Sequence, residues 1–163
     1  LFFLVRLRIL FKGRRPIPDN GGDWPSLTLI VSAYNEENCI EEKIKNSLSL
    51  DYPADKITYL FVTDGSTDRT PEIVAGYPQI KLMHQPERRG KIAAIDRVMH
   101  DVKTEVVIFT DANTMLNKSA LTNICRHYHD PKVGAVSGEK RVHIEEVADA
   151  TAGEGFYWNT NQN

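Results

Sequence analysis

Short apolar runs alternate with amphipathic stretches along this chain, and no other feature constrains its fold as strongly. The runs that predict strands cover residues 27–33, 57–62, 80–84, 105–110 and 133–137. The stretches that predict helices cover residues 36–50, 70–77, 91–102 and 118–129. Regular alternation of this kind predicts an α/β domain with a mostly parallel sheet and helices on both faces.

Individual segments support this interpretation. The first run, LTLIVSA, is almost continuously apolar, as is typical of a strand buried on both faces. In the first helical stretch, Ile40, Ile44 and Leu48 recur every four residues and so share one helix face. Thr70 followed by Pro71 predicts a helix start, with the threonine hydroxyl as the N-cap.

Composition excludes several classes of function. A chain of 163 residues suits one domain, and its net charge of −2 provides no basic field for binding nucleic acid. The two cysteines, Cys39 and Cys125, form neither a CxxC motif nor a disulfide framework, so we interpret them as reduced thiols.

The N-terminal residues 1–25 form a separate segment. Residues 1–11 are mostly apolar but too short to span a bilayer, and residues 13–25 are rich in proline and glycine, like a linker. The apolar part could be the cytoplasmic end of a transmembrane helix, an amphipathic helix on the membrane, or a helix packed on the domain. We expect a membrane-associated protein with its catalytic domain, residues 26–163, on the cytoplasmic side.

Polar clusters follow four of the predicted strands. They are Tyr34-Asn35-Glu36-Glu37, Asp64-Gly65-Ser66-Thr67-Asp68, Gln85-Pro86-Glu87-Arg88-Arg89-Gly90-Lys91 and Asp111-Ala112-Asn113. Taken singly, each has a simpler explanation as a helix cap, a turn or a solvated loop. In a parallel sheet, however, all four would lie along the edge where α/β proteins bind ligands.

The last cluster predicts a metal site. Asp111 and Asn113 offer a carboxylate and an amide oxygen one residue apart, which suits a hard divalent cation held against a diphosphate. Lys91, beside Gly90, could add positive charge for the phosphates. The glycine spacings of a P-loop and of a GxGxxG dinucleotide site are both absent from the sequence.

As a set, these motifs resemble the family 2 glycosyltransferases of the GT-A fold, in the branch of polysaccharide synthases. The matching segments lie within residues 26–138: Val31 to Glu37, Val62 to Asp68, Gly90-Lys91 with Ala93-Ala94, and Thr110 to Asn113. The resemblance implies a GT-A type, Rossmann-like sandwich whose C-terminal acceptor part is incomplete in this chain.

The resemblance also implies roles for particular residues. It assigns the binding of a nucleotide sugar to Ala33, Tyr34, Asn35, Glu36, Asp64, Gly65, Lys91, Asp111, Ala112 and Asn113. Within that set, Asp64 would contact the base, Lys91 the diphosphate, and Asp111 and Asn113 the metal, Mn²⁺ or Mg²⁺. Asp111 would be the catalytic residue, as the one most necessary for metal-dependent donor binding, and the base is not identified.

The implied reaction is transfer of a sugar from a UDP-linked donor to a glycan or lipid-linked acceptor, with inversion and with a carboxylate as base. Three departures qualify it: Thr63 replaces a common aspartate, Asn113 replaces the second acid of the DXD motif, and no downstream acid has the context of the base. They leave open a non-catalytic nucleotide-sugar-binding module or an inactive fragment. A nucleotidyltransferase is a third hypothesis. We expect no sugar transfer by the 163-residue chain alone.

Overall fold

The computed structural model describes residues 23–139. Its strands are β1 (Leu27–Ala33), β2 (Ile57–Asp64), β3 (Ile80–Gln85) and β4 (Val106–Asp111). Its helices are α1 (Ile40–Leu48), α2 (Thr70–Ala75), α3 (Lys91–Met99) and α4 (Ala120–Cys125), followed by a 3₁₀ helix (Arg126–His129). Strand and helix therefore alternate along this part of the chain, as predicted.

The four strands form one parallel sheet in the order β3-β2-β1-β4. Leu27 lies opposite both Ile57 and Val106, so three strands start at nearly the same level. Ser32, near the end of β1, lies opposite Asp111 at the end of β4. This register brings the polar clusters that follow the strands to one edge of the sheet.

Helices cover both faces of the sheet, as predicted. Alternate residues of β1, such as Leu29 and Val31, pack in a cluster that includes Ile44 of α1, Val74 of α2 and Leu121 of α4. On the other face a smaller cluster joins β1 and β2 to α3 through Ile30, Leu60, Val62, Ala94 and Val98. Each fully buried Leu or Ile contributes about 1.5–3 kcal/mol, so burial on both faces holds β1 in place.

The fifth strand, predicted over residues 133–137, is wrong. Residues 133–139 adopt neither helix nor strand, and no ladder joins them to the four described strands. Gly134 and Gly138 lie in this short stretch, and glycine weakens a strand because it provides no side chain to pack. Without a partner strand, such a run has little to hold it extended.

The helix starts also differ from prediction. Residues 36–39 form a turn, and α1 begins only at Ile40. Thr70 is the first residue of α2 rather than its N-cap, and its hydroxyl accepts the backbone N–H of Glu36 at 2.9 Å. The Thr70 hydroxyl therefore joins the start of α2 to the turn after β1. Local sequence patterns do not show such a contact.

Two predictions fall largely outside the described residues. They concern the apolar segment before residue 23 and the acceptor part after residue 139, and both stay predictions. Between residues 23 and 139, no helix has the length and apolar character needed to cross a bilayer.

Candidate functional site

The edge formed by the carboxyl ends of the strands contains a cleft of about 230 Å³. Its lining residues are Ser32, Ala33, Tyr34, Glu36, Val62, Asp64, Lys91, Ala94, Asp111 and Asn113. Most of the predicted donor-binding residues therefore meet in one cleft. A cavity of about 280 Å³ near the start of the strands, at Lys56 and Glu105, is lined by none of them.

Asp64, the last residue of β2, is 6% exposed. Its Oδ2 accepts the backbone N–H groups of Arg89 at 2.9 Å and Gly90 at 2.6 Å. Its Oδ1 has no hydrogen-bond partner among the described residues, although the Arg97 guanidinium lies 3.9 Å away. Buried carboxylate oxygens normally accept hydrogen bonds, so Asp64 can receive an N–H from a ligand in the cleft.

Gly65 lets the loop after β3 approach the loop after β2. Its φ is +73°, and a Cβ there would lie 2.6 Å from Arg88 Cβ and 2.8 Å from the Arg88 backbone nitrogen. The Gly65 N–H also donates to the Gln85 carbonyl at 2.8 Å. Gly65 does not line the cleft; its position requires glycine because the neighbouring loop leaves no room for a side chain.

Asn35 also acts on the loops rather than lining the cleft. It has a φ of +52°, a conformation that asparagine tolerates better than most residues. Its side-chain oxygen accepts the Thr67 N–H at 2.8 Å, and its own N–H donates to the Ser66 hydroxyl at 3.2 Å. Asn35 thereby ties the end of β1 to the loop after β2.

Tyr34 is an exposed lining residue that contacts the loop after β3. The Arg88 guanidinium lies 3.9 Å from the centre of the Tyr34 ring, within the range of a cation–π contact. This contact brings positive charge to the rim of the cleft. Arg88 belongs to the same loop as Arg89 and Gly90, whose N–H groups bind Asp64.

The turn after β4 points its polar side chains away from the core. Ala112 is 1% exposed, whereas Asp111 is partly exposed and Asn113 exposed. The Ala112 N–H donates to the Ser32 carbonyl at 3.1 Å, which continues the strand register by one residue. A small residue between two polar ones thus places Asp111 and Asn113 in the cleft.

The Asp111 carboxylate interacts with Ser32 and Lys91 in the cleft. Its Oδ1 accepts a hydrogen bond from the Ser32 hydroxyl at 3.2 Å and forms an ion pair with the Lys91 ammonium. Lys91 is the first residue of α3, so the ion pair links β4 to the helix on the other side of the cleft. Positive charge therefore already lies beside the Asp111 carboxylate.

The donor atoms at this turn suit a divalent cation that a substrate helps to hold. Among residues 23–139 no group of three or more His, Cys, Asp or Glu side chains could hold a metal unaided. Asp111 and Asn113 supply hard oxygen donors, and Mg²⁺ in particular commonly binds through one or two carboxylates, waters and phosphate oxygens. The residues therefore fit a cation bound together with a diphosphate.

Lys43, on α1, is a buried charged residue that sequence analysis missed. Its side chain is fully buried, and its ammonium donates to the Thr110 hydroxyl at 3.2 Å and to the Thr114 carbonyl. Burial lowers the pKa of Lys43 to about 8, although the Asp111 charge opposes that shift. A signal existed, because Lys43 lies three residues after Ile40 on the helix face that enters the core.

Thr63, which replaces a common aspartate, is fully buried and does not line the cleft. Its hydroxyl shares a hydrogen bond of 2.8 Å with His84 Nδ1. The position therefore joins β2 to β3.

Comparisons with known proteins agree with this fold. The family described as Glycosyl transferase family 2 matches residues 28–163. The chain is 33% identical over 138 residues to the beta-monoglucosyldiacylglycerol synthase of Synechocystis, covering 81% of this chain and 29% of that protein. It is 30% identical over 146 residues to a poly-beta-1,6-N-acetyl-D-glucosamine synthase of Staphylococcus aureus, covering 87% and 35%. The chain thus spans only about a third of these relatives' length.

Solved structures give the same result. A mannosyltransferase from Pyrobaculum calidifontis, in complex with GDP-Man and Mn²⁺, aligns with a TM-score of 0.75 and 34% identity, over 86% of this chain and 43% of that one. TarS of S. aureus, in complex with UDP-GlcNAc, aligns with a TM-score of 0.56 and 26% identity, over 60% and 29%. The predicted fold class is confirmed, and this chain belongs to glycosyl transferase family 2.

Proposed function

We propose that this chain binds the donor of a glycosyltransferase that moves a sugar from a nucleoside diphosphate to a glycan or lipid-linked acceptor. One observation carries the proposal: a buried carboxylate oxygen without a hydrogen-bond partner, on Asp64, shares a cleft with the Asp111–Asn113 turn and Lys91. The first group suits a nucleobase N–H, and the others suit a diphosphate with its cation.

The nucleotide is proposed to be UDP. Uracil presents one N–H between two carbonyl groups, and a single buried acceptor such as Asp64 Oδ1 matches that N–H. Resemblance to polysaccharide synthases supports the same choice. GDP is the main competitor, because a solved relative binds GDP-Man and guanine also presents an N–H.

A divalent cation, Mn²⁺ or Mg²⁺, would be held by Asp111 and Asn113. When bound, it would neutralise the charge that develops on the diphosphate as the sugar leaves. Lys91, which pairs with Asp111, would add positive charge for the phosphates, and Ser32 would orient the Asp111 carboxylate through its hydrogen bond. Because Asn113 contributes no charge, we expect weaker metal binding than two aspartates would give.

Inverting transfer further requires a carboxylate that takes the proton of the acceptor hydroxyl. The acids that line the described cleft are Glu36, Asp64 and Asp111, and all three are assigned to the donor here. We therefore assign the base to no residue between 23 and 139. The uncharged Asn113 side chain at the proposed metal turn favours the second candidate function, a module that binds the nucleotide sugar without transferring it.

Membrane association through residues 1–25, with the domain on the cytoplasmic side, belongs to the same proposal. The apolar run followed by basic residues supports it. Binding of the chain to anionic vesicles, compared with a version lacking residues 1–22, would test membrane association.

Calorimetric titration of UDP, UMP and GDP into the 163-residue chain with Mn²⁺ tests the donor assignment. We expect UDP to bind about tenfold tighter than UMP, because UMP lacks the second phosphate, and about tenfold tighter than GDP. Failure of a folded chain to bind any nucleotide would contradict the proposal. Turnover of a UDP-sugar with glycan or lipid acceptors by this chain would exclude the binding module.

A further inference from the structure

The fully buried ammonium of Lys43 lies against the segments on either side of the proposed metal turn. One partner, the Thr110 hydroxyl, precedes Asp111, and the other, the Thr114 carbonyl, follows Asn113. Burying a charged group costs free energy unless strong hydrogen bonds compensate it. An apolar side chain would fill the same space in the core without that cost. Both partners belong to the chain around the turn.

A second residue of α1 holds the same segment. The Asn46 side chain donates to the Leu116 carbonyl at 2.8 Å and accepts the Leu116 N–H at 2.9 Å. Lys43 and Asn46 are three residues apart and so share a helix face. Together they fix residues 114–116 to α1, while the turn itself is closed by the Thr114 N–H donating to the Asp111 carbonyl at 3.2 Å.

We propose that Lys43 is a positioning residue that holds the Asp111–Asn113 turn in the shape needed to bind a divalent cation together with the diphosphate. The inference rests on the proposed function. It separates two parts of donor binding. Contacts that need the cation depend on Lys43, whereas the nucleobase contact at Asp64, on another strand, does not.

The variant that tests this is Lys43→Met, which keeps most of the aliphatic stem and removes the ammonium. Lys45→Met is the matched control, because Lys45 lies on the same helix but is exposed and pairs with Glu41 at the surface. UDP is titrated into each chain with and without Mn²⁺. We expect Lys43→Met to lose the gain in affinity that Mn²⁺ gives, about tenfold, and to keep its metal-free affinity within about twofold. The control should behave like the original chain.

Hydrogen exchange of the ligand-free chains provides a readout that does not need nucleotide. Without the lysine, the Thr114 amide should exchange several-fold faster, because the hydrogen bond that closes the turn opens more often. Amides in the middle of β1 should not change. If the original chain shows no metal-dependent UDP binding, the proposed function fails, and this measurement alone decides whether Lys43 orders the turn.

Unchanged Mn²⁺ dependence together with unchanged exchange at Thr114 would overturn the inference. Equal loss of metal-free and metal-dependent affinity would also overturn it, since that result indicates general support of the fold. If Lys43→Met does not fold, Thr110→Val removes only the hydroxyl partner and should lower the Mn²⁺ gain by about threefold. A full Mn²⁺ gain in a folded Thr110→Val chain would then count against the role of Lys43.

Discussion

At the scale of single residues, the two oxygens of Asp64 do different work. Oδ2 accepts two backbone N–H groups and thereby holds the loop after β3, whereas Oδ1, 3.9 Å from the Arg97 guanidinium, accepts no hydrogen bond from the described residues. Asp64 is therefore proposed both to hold the loop and to bind the nucleobase. A substitution there should be judged by affinity and by stability together.

Asp64→Asn should weaken UDP binding by about tenfold or more, both with and without Mn²⁺. The amide replaces one acceptor by a donor, so it cannot both hold the loop and accept a nucleobase N–H. Calorimetry measures the effect, and Asp96→Asn, at an exposed position of α3, is the control. UDP affinity equal to that of the original chain would contradict the role of Asp64.

Lys43 also predicts how stability depends on pH. Burial lowers the pKa of Lys43 to about 8, from an ordinary value of 10.5. Between these values the unfolded chain binds more protons than the folded chain, so the free energy of unfolding rises with pH. Relative to Lys43→Met, the original chain should gain on the order of 1 kcal/mol per pH unit in that range.

Urea unfolding of both chains at pH 7 and pH 10 measures this difference. Other groups titrate in both chains, so their contributions cancel in the difference between the two free energies of unfolding. A difference that stays constant would mean that Lys43 keeps an ordinary pKa in the folded protein, and a difference that falls as the pH rises would mean a raised pKa.

At the scale of elements, the loops after β2 and β3 approach each other closely and shape the side of the cleft that contains Asp64. Gly65 permits that approach, since a Cβ there would meet both the backbone and the Cβ of Arg88. Gly65→Ala should lower the free energy of unfolding by roughly 2–4 kcal/mol, from a strained positive φ and from overpacking. Urea unfolding measures it.

Gly134→Ala is the matched control for this loop. No atom lies within 4 Å of a Cβ at Gly134, so its substitution should change stability by less than about 0.5 kcal/mol. Similar losses for the two variants would show that the contact between the loops is not what makes Gly65 necessary.

Sequence patterns predicted the elements better than their ends. The strands β1 to β4 lie within about two residues of the predicted bounds, because a buried strand reads directly as an apolar run. The run at residues 133–137 shows the limit of this rule, since a strand also needs a partner that local sequence does not specify. Prediction of α1 placed its start too early, because residues that form a turn can also suit a first helical turn.

The lining of the cleft was predictable because it follows from topology. Polar residues at the ends of parallel strands must meet, and most of the predicted donor residues do. The contacts of the supporting residues were not predictable, although the position of Lys43 on a buried helix face was a signal. Lys43 and Thr70 bind groups 67 and 34 positions away in the sequence, and such pairs become visible only once the chain is folded.

At the scale of the whole molecule, one sheet edge brings together the groups that we propose bind the two ends of a nucleotide. The buried acceptor of Asp64 comes from β2, and the oxygens proposed to hold a cation come from the turn after β4. With β1 between these strands, the base and the diphosphate would bridge the middle of the sheet. The proposed site therefore uses groups from several strands, and its cation would be held jointly by the protein and the diphosphate.

The central claim is that Asp111 holds a cation against the diphosphate in this cleft. Titration of UDP with and without Mn²⁺, into the original chain and into Asp111→Ala, tests it most directly. We predict that Mn²⁺ tightens UDP binding by about tenfold in the original chain and leaves it unchanged in the variant. A folded Asp111→Ala chain that still gains affinity from Mn²⁺ would contradict the account.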